Sequence, residues 1–173
     1  MFATIYLPDF YLQAALRYLP ELRDKPVALI DDQEKKAVII QLTPRAEQTG
    51  VHRGMTPSQG LARCLQLQVI TRRLSQEKVI QDILLHLAGT LAPYVEATGE
   101  GIATVQFTHQ KNLTQNVTRV IEQLAEAEIL AQAGIAPTPD TSFLAAHLAA
   151  PVLQIENTTE FLAALPIEVL AIS

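Results

Sequence analysis

The residues best suited to chemistry in this sequence are five arginines within one short stretch. Between residues 45 and 73 basic side chains outnumber acidic ones by five to one, which gives a local charge of +4. The five are Arg45, Arg53, Arg63, Arg72 and Arg73. Such a cluster is suited to phosphate contacts, although a solvated helix face has the same composition and is the simpler explanation.

Other familiar sites are absent from the sequence pattern. The four histidines are scattered without an i, i+4 pair, so we expect no metal site. Gly50 and Gly54 are not followed by the Lys-Ser or Lys-Thr of a phosphate-binding loop. Ser58 and Cys64 have no histidine or acid beside them in sequence, so neither is a strong nucleophile candidate.

The composition indicates a folded chain with an acidic surface. The 173 residues are 49% hydrophobic and 18% charged, with a net charge of −5. This excludes a disordered chain and argues against nucleic-acid binding over the whole surface. The apolar runs are too short to span a bilayer, and the N-terminus does not resemble a secretion signal. We therefore expect a cytoplasmic protein without a membrane partner.

Local signals predict the elements that would position these residues. A first strand over 2–7 is followed by Asp9, which can cap a helix. Thr43-Pro44 and a T-x-x-Q capping box at Thr56 predict two short helices. Apolar residues at three- and four-residue spacing predict a long helix from Ser75.

The second half of the chain alternates between strands and helices. Two strands, 94–98 and 102–108, flank the tight-turn sequence Gly99-Glu100-Gly101. A helix around Val117, a strand over 129–136 and a helix capped by Asp140 follow, and a last strand precedes a final helix to about 165. The order predicts a mixed α/β chain with a small helical insert at 43–70.

Two segments carry motifs of a known family. In 9–27, Asp9 precedes the aromatic pair Phe10 and Tyr11, a helix and a Leu-Pro-Glu-Leu-Arg-Asp-Lys-Pro-Val run. Residues 43–55 read Thr-Pro-Arg-Ala-Glu-Gln-Thr-Gly-Val-His-Arg-Gly-Met. The first resembles the opening of a Y-family (UmuC-type) DNA polymerase, and the second resembles the finger segment of that family.

Two further segments extend the resemblance over nearly the whole chain. Ala-Gly-Ile-Ala at 133–136, together with 143–149, is similar to a later palm motif of the family. The Leu-Pro-Ile-Glu-Val-Leu run at 165–170 lies where the family enters its thumb. The four matches occur in the order that the family has.

The resemblance implies an α+β fold, a ferredoxin-like polymerase palm with a small helical fingers insert. The palm would be a mixed, mainly antiparallel sheet with helices on one face, formed by 1–42 and 74–165. The fingers would be 43–73, so the five arginines become candidate DNA contacts. Residues 166–173 would be the start of a thumb that is not present.

The carboxylates that such a polymerase needs are missing from the matching positions. The family binds two Mg²⁺ ions with one aspartate in the first strand and an Asp-Glu pair in the later hairpin. The first position falls on Tyr6, and a tyrosine cannot replace an ionised metal ligand at neutral pH. The hairpin pair falls within Gly99-Glu100-Gly101-Ile102, where Glu100 is the only acid and is most simply an exposed turn residue. Asp9 could be a displaced ligand, but a helix N-cap is the simpler role.

The positions that hold the triphosphate in the family are also replaced. The finger Tyr and Arg correspond to Pro44 and Glu47, and Glu47 reverses the local charge. Arg45 could substitute, but it lies on another side of the helix. The lysine of the later palm motif corresponds to Phe143. Tyr11 keeps the aromatic position beneath the sugar, where we expect it to be a packing residue.

This combination resembles one subgroup, the inducible-mutagenesis B-type proteins, which lack the catalytic carboxylates. The resemblance implies a non-catalytic adaptor in SOS mutagenesis and translesion synthesis. Its partners would be a sliding clamp, an error-prone polymerase and a RecA-like protein, with weak DNA binding by this part of the chain. We expect no metal and no cofactor.

Two alternatives remain open at the level of sequence. One is a weakly active translesion polymerase that uses Asp9 and Glu100 with Mg²⁺. The other is an unrelated ferredoxin-like binding module that matches the motifs by chance. A helical insert ahead of the helix at Ser75 distinguishes the family from this second alternative.

Overall fold

The computed structural model describes residues 1–31, 35–109 and 111–166. The strands in this part of the chain are β1 (Phe2–Tyr6), β2 (Val27–Ile30), β3 (Ile39–Leu42), β4 (Gln68–Thr71), β5 (Tyr94–Gly99), β6 (Ile102–Gln106), β7 (Gln132–Ala136) and β8 (Val152–Gln154). The helices are α1 (Phe10–Leu16), α2 (Pro44–Gln48), α3 (Pro57–Arg63), α4 (Leu74–Ala88), α5 (Leu113–Glu126), α6 (Pro139–Leu148) and α7 (Thr158–Ala164). None of these helices is long and apolar enough to cross a lipid bilayer.

The chain divides into two compact units. Unit 1 comprises Met1–Pro8 and Ile80–Ser173, and unit 2 comprises Asp9–Val79. The predicted palm (1–42 and 74–165) and fingers (43–73) have different boundaries and stay a prediction. Residues 9–42 are grouped with the fingers segment in the structure because β2 pairs with β3 and β4 rather than with the sheet that contains β1.

Unit 1 is built on a five-stranded sheet in the order β5-β6-β1-β7-β8. Strand β1 pairs antiparallel with β6 and β7, β5 pairs antiparallel with β6, and β8 is parallel to β7. Helix α6 packs on β1 and β7, and α5 packs on β7 and β8. Ala3, Ile5 and Val105 alternate with the residues that face α6 and are fully buried. The α+β class and the mainly antiparallel sheet are therefore confirmed.

Unit 2 contains a three-stranded sheet in the order β3-β2-β4, antiparallel on one side and parallel on the other. Alternate residues of β2 enter two separate clusters. Val27 and Leu29 pack with Leu12 of α1, whereas Ala28 packs with Ala46 and with Val51, which follows α2. The predicted helical insert is present as α2 and α3.

Two of the predicted helix starts, at Thr43 and Thr56, are confirmed by their hydrogen bonds. The Thr43 hydroxyl accepts from the Ala46 amide with Pro44 at the first helical position. Thr56 and Gln59 form the predicted capping box. The predicted cap at Asp140 is wrong, because Thr138 caps α6 two residues earlier and accepts from the Thr141 amide. Of the predicted thumb start at 166–173, only Pro166 is among the described residues.

Candidate functional site

The end of β1 and the tip of the β5–β6 hairpin meet in unit 1. Tyr6 lies opposite Ile102 of β6 on one side and Gln132 of β7 on the other. The Leu7 amide donates a hydrogen bond of 2.8 Å to the Gly101 carbonyl oxygen. The structure thus brings together the two places, Tyr6 and Gly101, where the resemblance puts metal-binding carboxylates.

The Tyr6 ring is taken up by an aromatic stack. It lies against the His147 ring with 4.0 Å between centroids and 25° between planes. Phe143, one turn earlier on α6, lies 4.4 Å from the same imidazole. The His147 Nδ1 atom is 2.9 Å from the Phe143 carbonyl oxygen. Two of the predicted site positions, Tyr6 and Phe143, are therefore joined through a histidine.

Sequence reasoning missed His147, which it counted among the scattered histidines. A signal was present, since Phe143 and His147 are four residues apart and share one helix face. Which face α6 turns to β1 follows only from the tertiary packing.

A glycine allows α6 to come this close to the sheet. Gly134 lies beside Thr4 in the pairing of β7 with β1. A Cβ atom at Gly134 would lie 2.7 Å from the Ala145 carbonyl carbon and closer still to the Ser142 carbonyl oxygen. The Thr4 and Ser142 hydroxyls are 2.8 Å apart, which fixes the contact. The glycine of the Gly-Ile-Ala motif is therefore needed for the close packing of α6 on β7.

The hairpin tip offers backbone groups rather than metal ligands. Gly101 is buried at φ +71°, a conformation that favours glycine, and its amide donates to Gln81 Oε1 at 2.7 Å. Glu100 is exposed in the turn. Across the described residues, no three His, Cys, Asp or Glu side chains come together in a way that could hold a metal ion. The donor set at Tyr6 and Gly101 does not fit Mg²⁺, which prefers carboxylate and other oxygen ligands.

Asp9 does not have its predicted capping role. It stands at the N-cap of α1 in the left-handed conformation (φ 47°, ψ 46°) and makes no side-chain capping hydrogen bond. Residues that cap helices have extended backbone angles, which aim the side chain at the first turn. The Asp9 Oδ1 atom instead accepts from Arg53 Nη2 at 2.7 Å, an exposed ion pair within unit 2.

Tyr11 is covered by an arginine that is held from several sides. The Arg72 guanidinium lies 4.0 Å from the Tyr11 ring centroid. It donates to both Glu77 carboxylate oxygens, at 2.9 and 2.7 Å, and to Asp31 at 3.3 Å. The hydrogen bonds to Glu77 raise the pKa of Arg72 above its ordinary value, although partial burial acts the other way. The Arg72 guanidinium is therefore held by contacts within unit 2.

The remaining finger positions lie on the surface of unit 2. Pro44 is the first residue of α2, and Arg45 and Glu47 are both exposed on that helix. Arg63 at the end of α3 and Arg73 before α4 are exposed as well. Of the five predicted DNA contacts, Arg53 and Arg72 thus have carboxylate partners that come from outside residues 45–73. Fewer of the five arginines are therefore available for phosphate contacts than the sequence indicates.

Comparisons of the sequence with known proteins agree with the resemblance found in its motifs. Residues 5–147 match the IMS family, described as the impB/mucB/samB family. DNA polymerase IV of Shewanella halifaxensis is 27% identical over 167 residues, 91% of this chain and 47% of that protein. DNA polymerase IV of Pectobacterium atrosepticum is 26% identical over 168 residues, with 92% and 48% covered. The chain spans about half the length of these curated relatives.

Solved structures share the fold. Dbh DNA polymerase in a post-insertion binary complex superposes with a TM-score of 0.86 at 17% identity, over 97% of this chain and 52% of that one. DinB from Sulfolobus solfataricus gives a TM-score of 0.82 at 17% identity, over 98% and 53%. At this identity the likeness shows the fold alone, a Y-family palm and fingers.

Proposed function

This chain belongs to the impB/mucB/samB family of Y-family polymerase domains, and we propose that it is a non-catalytic member that serves as an adaptor in DNA repair. It would take part in translesion synthesis of the SOS type by holding together an error-prone polymerase complex. The alternative of an unrelated ferredoxin-like module is wrong, because the family match covers most of the chain.

The observation that carries the proposal is the stack of Tyr6 on His147. Nucleotidyl transfer depends on metal ions that neutralise the developing charge on phosphate oxygens, and carboxylates must hold those ions. At the end of β1 the side chain is an aromatic ring in contact with another ring, so no carboxylate is available there. Gly101, beside it, has no side chain.

The nucleotide-binding positions support the same conclusion. Glu47 places a negative charge where a phosphate would need a positive one. Phe143 lies against His147 and offers no cation. The Tyr11 ring lies beneath Arg72, which neighbouring carboxylates hold in place. Both units have therefore lost groups that a polymerase uses, and the scaffold around them is kept.

The proposal assigns the partners by charge and by resemblance. A chain of net charge −5 makes few phosphate contacts, so we expect weak DNA binding and mainly protein partners. A sliding clamp and an error-prone polymerase are the partners that the resemblance to the B-type subgroup implies. We propose no metal and no cofactor for this chain.

The first test is a Mn²⁺ titration of the ¹⁵N-labelled chain, read by paramagnetic line broadening. We expect no selective broadening at residues 5–7 and 99–102, because they offer no joint carboxylate site. Selective broadening of both segments at submillimolar Mn²⁺ would overturn the proposal. Primer extension by the longest natural form of the protein, with a DNA polymerase IV as the positive control, should give no product above background.

The competing possibility is a weakly active polymerase that uses Asp9 and Glu100 with Mg²⁺. The pairing of Asp9 with Arg53 disfavours it, since a metal ion would have to displace the guanidinium. The test compares primer extension by the natural protein with that of an Asp9→Ala, Glu100→Ala double variant. Any extension that the double variant loses would favour this alternative, and equal rates would remove it.

A further inference from the structure

Strand β5 forms one edge of the unit 1 sheet. It pairs with β6 on one side only, and no other strand in the described part of the chain pairs with it. Alternate residues of an edge strand direct their backbone N–H and C=O groups away from the sheet, and an extended chain can pair with them. Such strand addition is a common way to bind a peptide segment.

A cleft lies against the same strand. Its volume is about 420 Å³, and its lining includes Tyr94, Glu96 and Thr98 of β5 together with Phe2, Gln106 and Pro139. The strand register explains why these residues share a face, since Tyr94 lies opposite Gln106, and Gln106 lies opposite Phe2. Backbone pairing at an edge gives affinity, and a neighbouring cleft that accepts a side chain gives specificity.

The charge and chemistry of this cleft favour a basic side chain. Glu96 is exposed in the middle of β5, and Tyr94 has 63% of its surface exposed at the start of the strand. Unit 1 as a whole has ten acidic residues against two basic ones, Lys111 and Arg119. A guanidinium or ammonium group here gains both a carboxylate partner and an aromatic surface.

The same features disfavour pairing of β5 with a second copy of itself. A β5–β5 pair would bring two Glu96 side chains near each other between two strongly acidic units, which costs free energy. Pro93 before the strand and the irregularity between Ala97 and Gly99 also limit the edge to a short stretch. The edge is therefore suited to a short foreign segment rather than to self-assembly.

We propose that β5 binds an extended segment of a partner protein as an added strand, with an arginine or lysine of that segment lying against Tyr94 and paired with Glu96. This inference goes beyond the adaptor role, because the edge can bind such a segment whether or not the chain polymerises DNA. The proposed contact on unit 1 is with a basic side chain of a peptide, which is chemically different from a contact with phosphate.

The test titrates the ¹⁵N-labelled chain with a soluble ten-residue peptide that alternates Thr and Val and carries one central Arg. We expect chemical shift changes confined to 93–99 and to neighbouring positions at 2, 104 and 106. Glu96→Lys should weaken binding by roughly tenfold or more, and Glu96→Gln by less, because an interfacial ion pair is lost. The matched control is Glu122→Lys on α5, which makes the same change in net charge at an exposed site and should leave the affinity within about twofold.

Two modified peptides separate strand addition from simple charge attraction. Replacing the central Arg by Glu should abolish binding, and methylating alternate backbone nitrogens in the register that pairs with β5 should do the same. Four results would overturn the proposal: no shift changes at 5 mM peptide, equal losses in Glu96→Lys and Glu122→Lys, unchanged binding by both N-methylated registers, or a dimer of this chain formed through β5.

Discussion

Unit 1 and unit 2 differ in charge and in what occupies the positions where the resemblance puts catalytic groups. Unit 1 has ten acidic and two basic residues, a formal charge of −8, whereas unit 2 has eight acidic and eleven basic residues, a charge of +3. In unit 1 the expected carboxylate position is filled by Tyr6, stacked on His147. In unit 2 cations remain, but Arg53 and Arg72 are paired with carboxylates of the same unit.

If the chain is non-catalytic, as we propose, the two units illustrate two physical routes to that state. In the first, an aromatic ring packs where a charged group is expected, as at Tyr6. In the second, a charged group is kept but is paired with carboxylates of the same unit, as at Arg72. The second route is invisible in a count of charges along the sequence, because the partners Asp31 and Glu77 lie outside the basic stretch.

The largest effect should follow the loss of Arg72 in unit 2. Arg72→Ala leaves Glu77, whose side chain is 5% exposed, as a buried charge without its bidentate partner. Removing one member of a buried ion pair costs about 3–5 kcal/mol of unfolding free energy. Urea denaturation should show this loss, and the double variant Arg72→Met, Glu77→Leu should regain most of it.

The matched control is Arg73→Ala, since Arg73 is the exposed neighbour of Arg72. It should change the unfolding free energy by less than about 0.5 kcal/mol. Equal losses in the two single variants would contradict the internal role of Arg72.

In unit 1 the largest effect should come from Gly134→Ala. The added methyl group meets backbone atoms of α6, which cannot move aside as a side chain can. We expect a loss of about 3 kcal/mol, at the upper end for overpacking, and a fall in Tm of about 6–12 °C.

Gly99→Ala is the control for that variant. Its Cβ would lie 3.1 Å from Ile102 Cδ1, the movable end of a side chain, so calorimetry should show a loss of less than about 1 kcal/mol. If the Gly134→Ala variant has the same Tm as the wild type, α6 does not lie as close to β7 as described.

A double-mutant cycle on Tyr6→Ala and His147→Ala measures the aromatic stack itself. Stacked ring pairs couple by about 0.5–1.5 kcal/mol beyond the area that they bury. We expect a value in this range from chemical denaturation at neutral pH. The same cycle on Tyr94 and His147 should give none, and a coupling of zero for Tyr6 would mean that the rings are not in contact.

The smallest expected effect concerns DNA binding, which we expect to involve the arginines of unit 2. If Arg45, Arg63 and Arg73 contact phosphates, their triple alanine variant should reduce the slope of log K against log salt by about 2.7, from 0.9 per contact. The double variant Arg72→Met, Glu77→Leu, which should stay folded and has the same net charge, should leave the slope unchanged, because the Arg72 guanidinium is already paired. Tight binding that resists salt would contradict the charge argument for both units.

Local signals in the sequence were enough for much of this structure. The caps at Thr43 and Thr56, the hairpin around Glu100 and the long helix near Ser75 depend on interactions between residues close in sequence, and all four are present. The cap predicted at Asp140 failed by two residues because Thr138 and Pro139 provide an equally good start.

The features that the sequence did not predict depend on contacts between residues that are far apart in sequence. The parallel pairing of β2 with β4, which gives unit 2 its own sheet, joins residues about forty apart, from Val27↔Gln68 to Ile30↔Thr71. The placement of His147 against Tyr6 joins the first strand to a helix far along the chain. Spacing along the sequence shows which residues share a helix face, but not what that face meets.

We propose that the palm keeps its shape without a metal site, and anomalous diffraction can detect such a site if it exists. Crystals of this chain soaked with Mn²⁺ and a nucleoside triphosphate should show no anomalous peak near Tyr6 and Gly101, with the Tyr6 and His147 rings still stacked. Two Mn²⁺ peaks bridged by the triphosphate at that place would contradict the account.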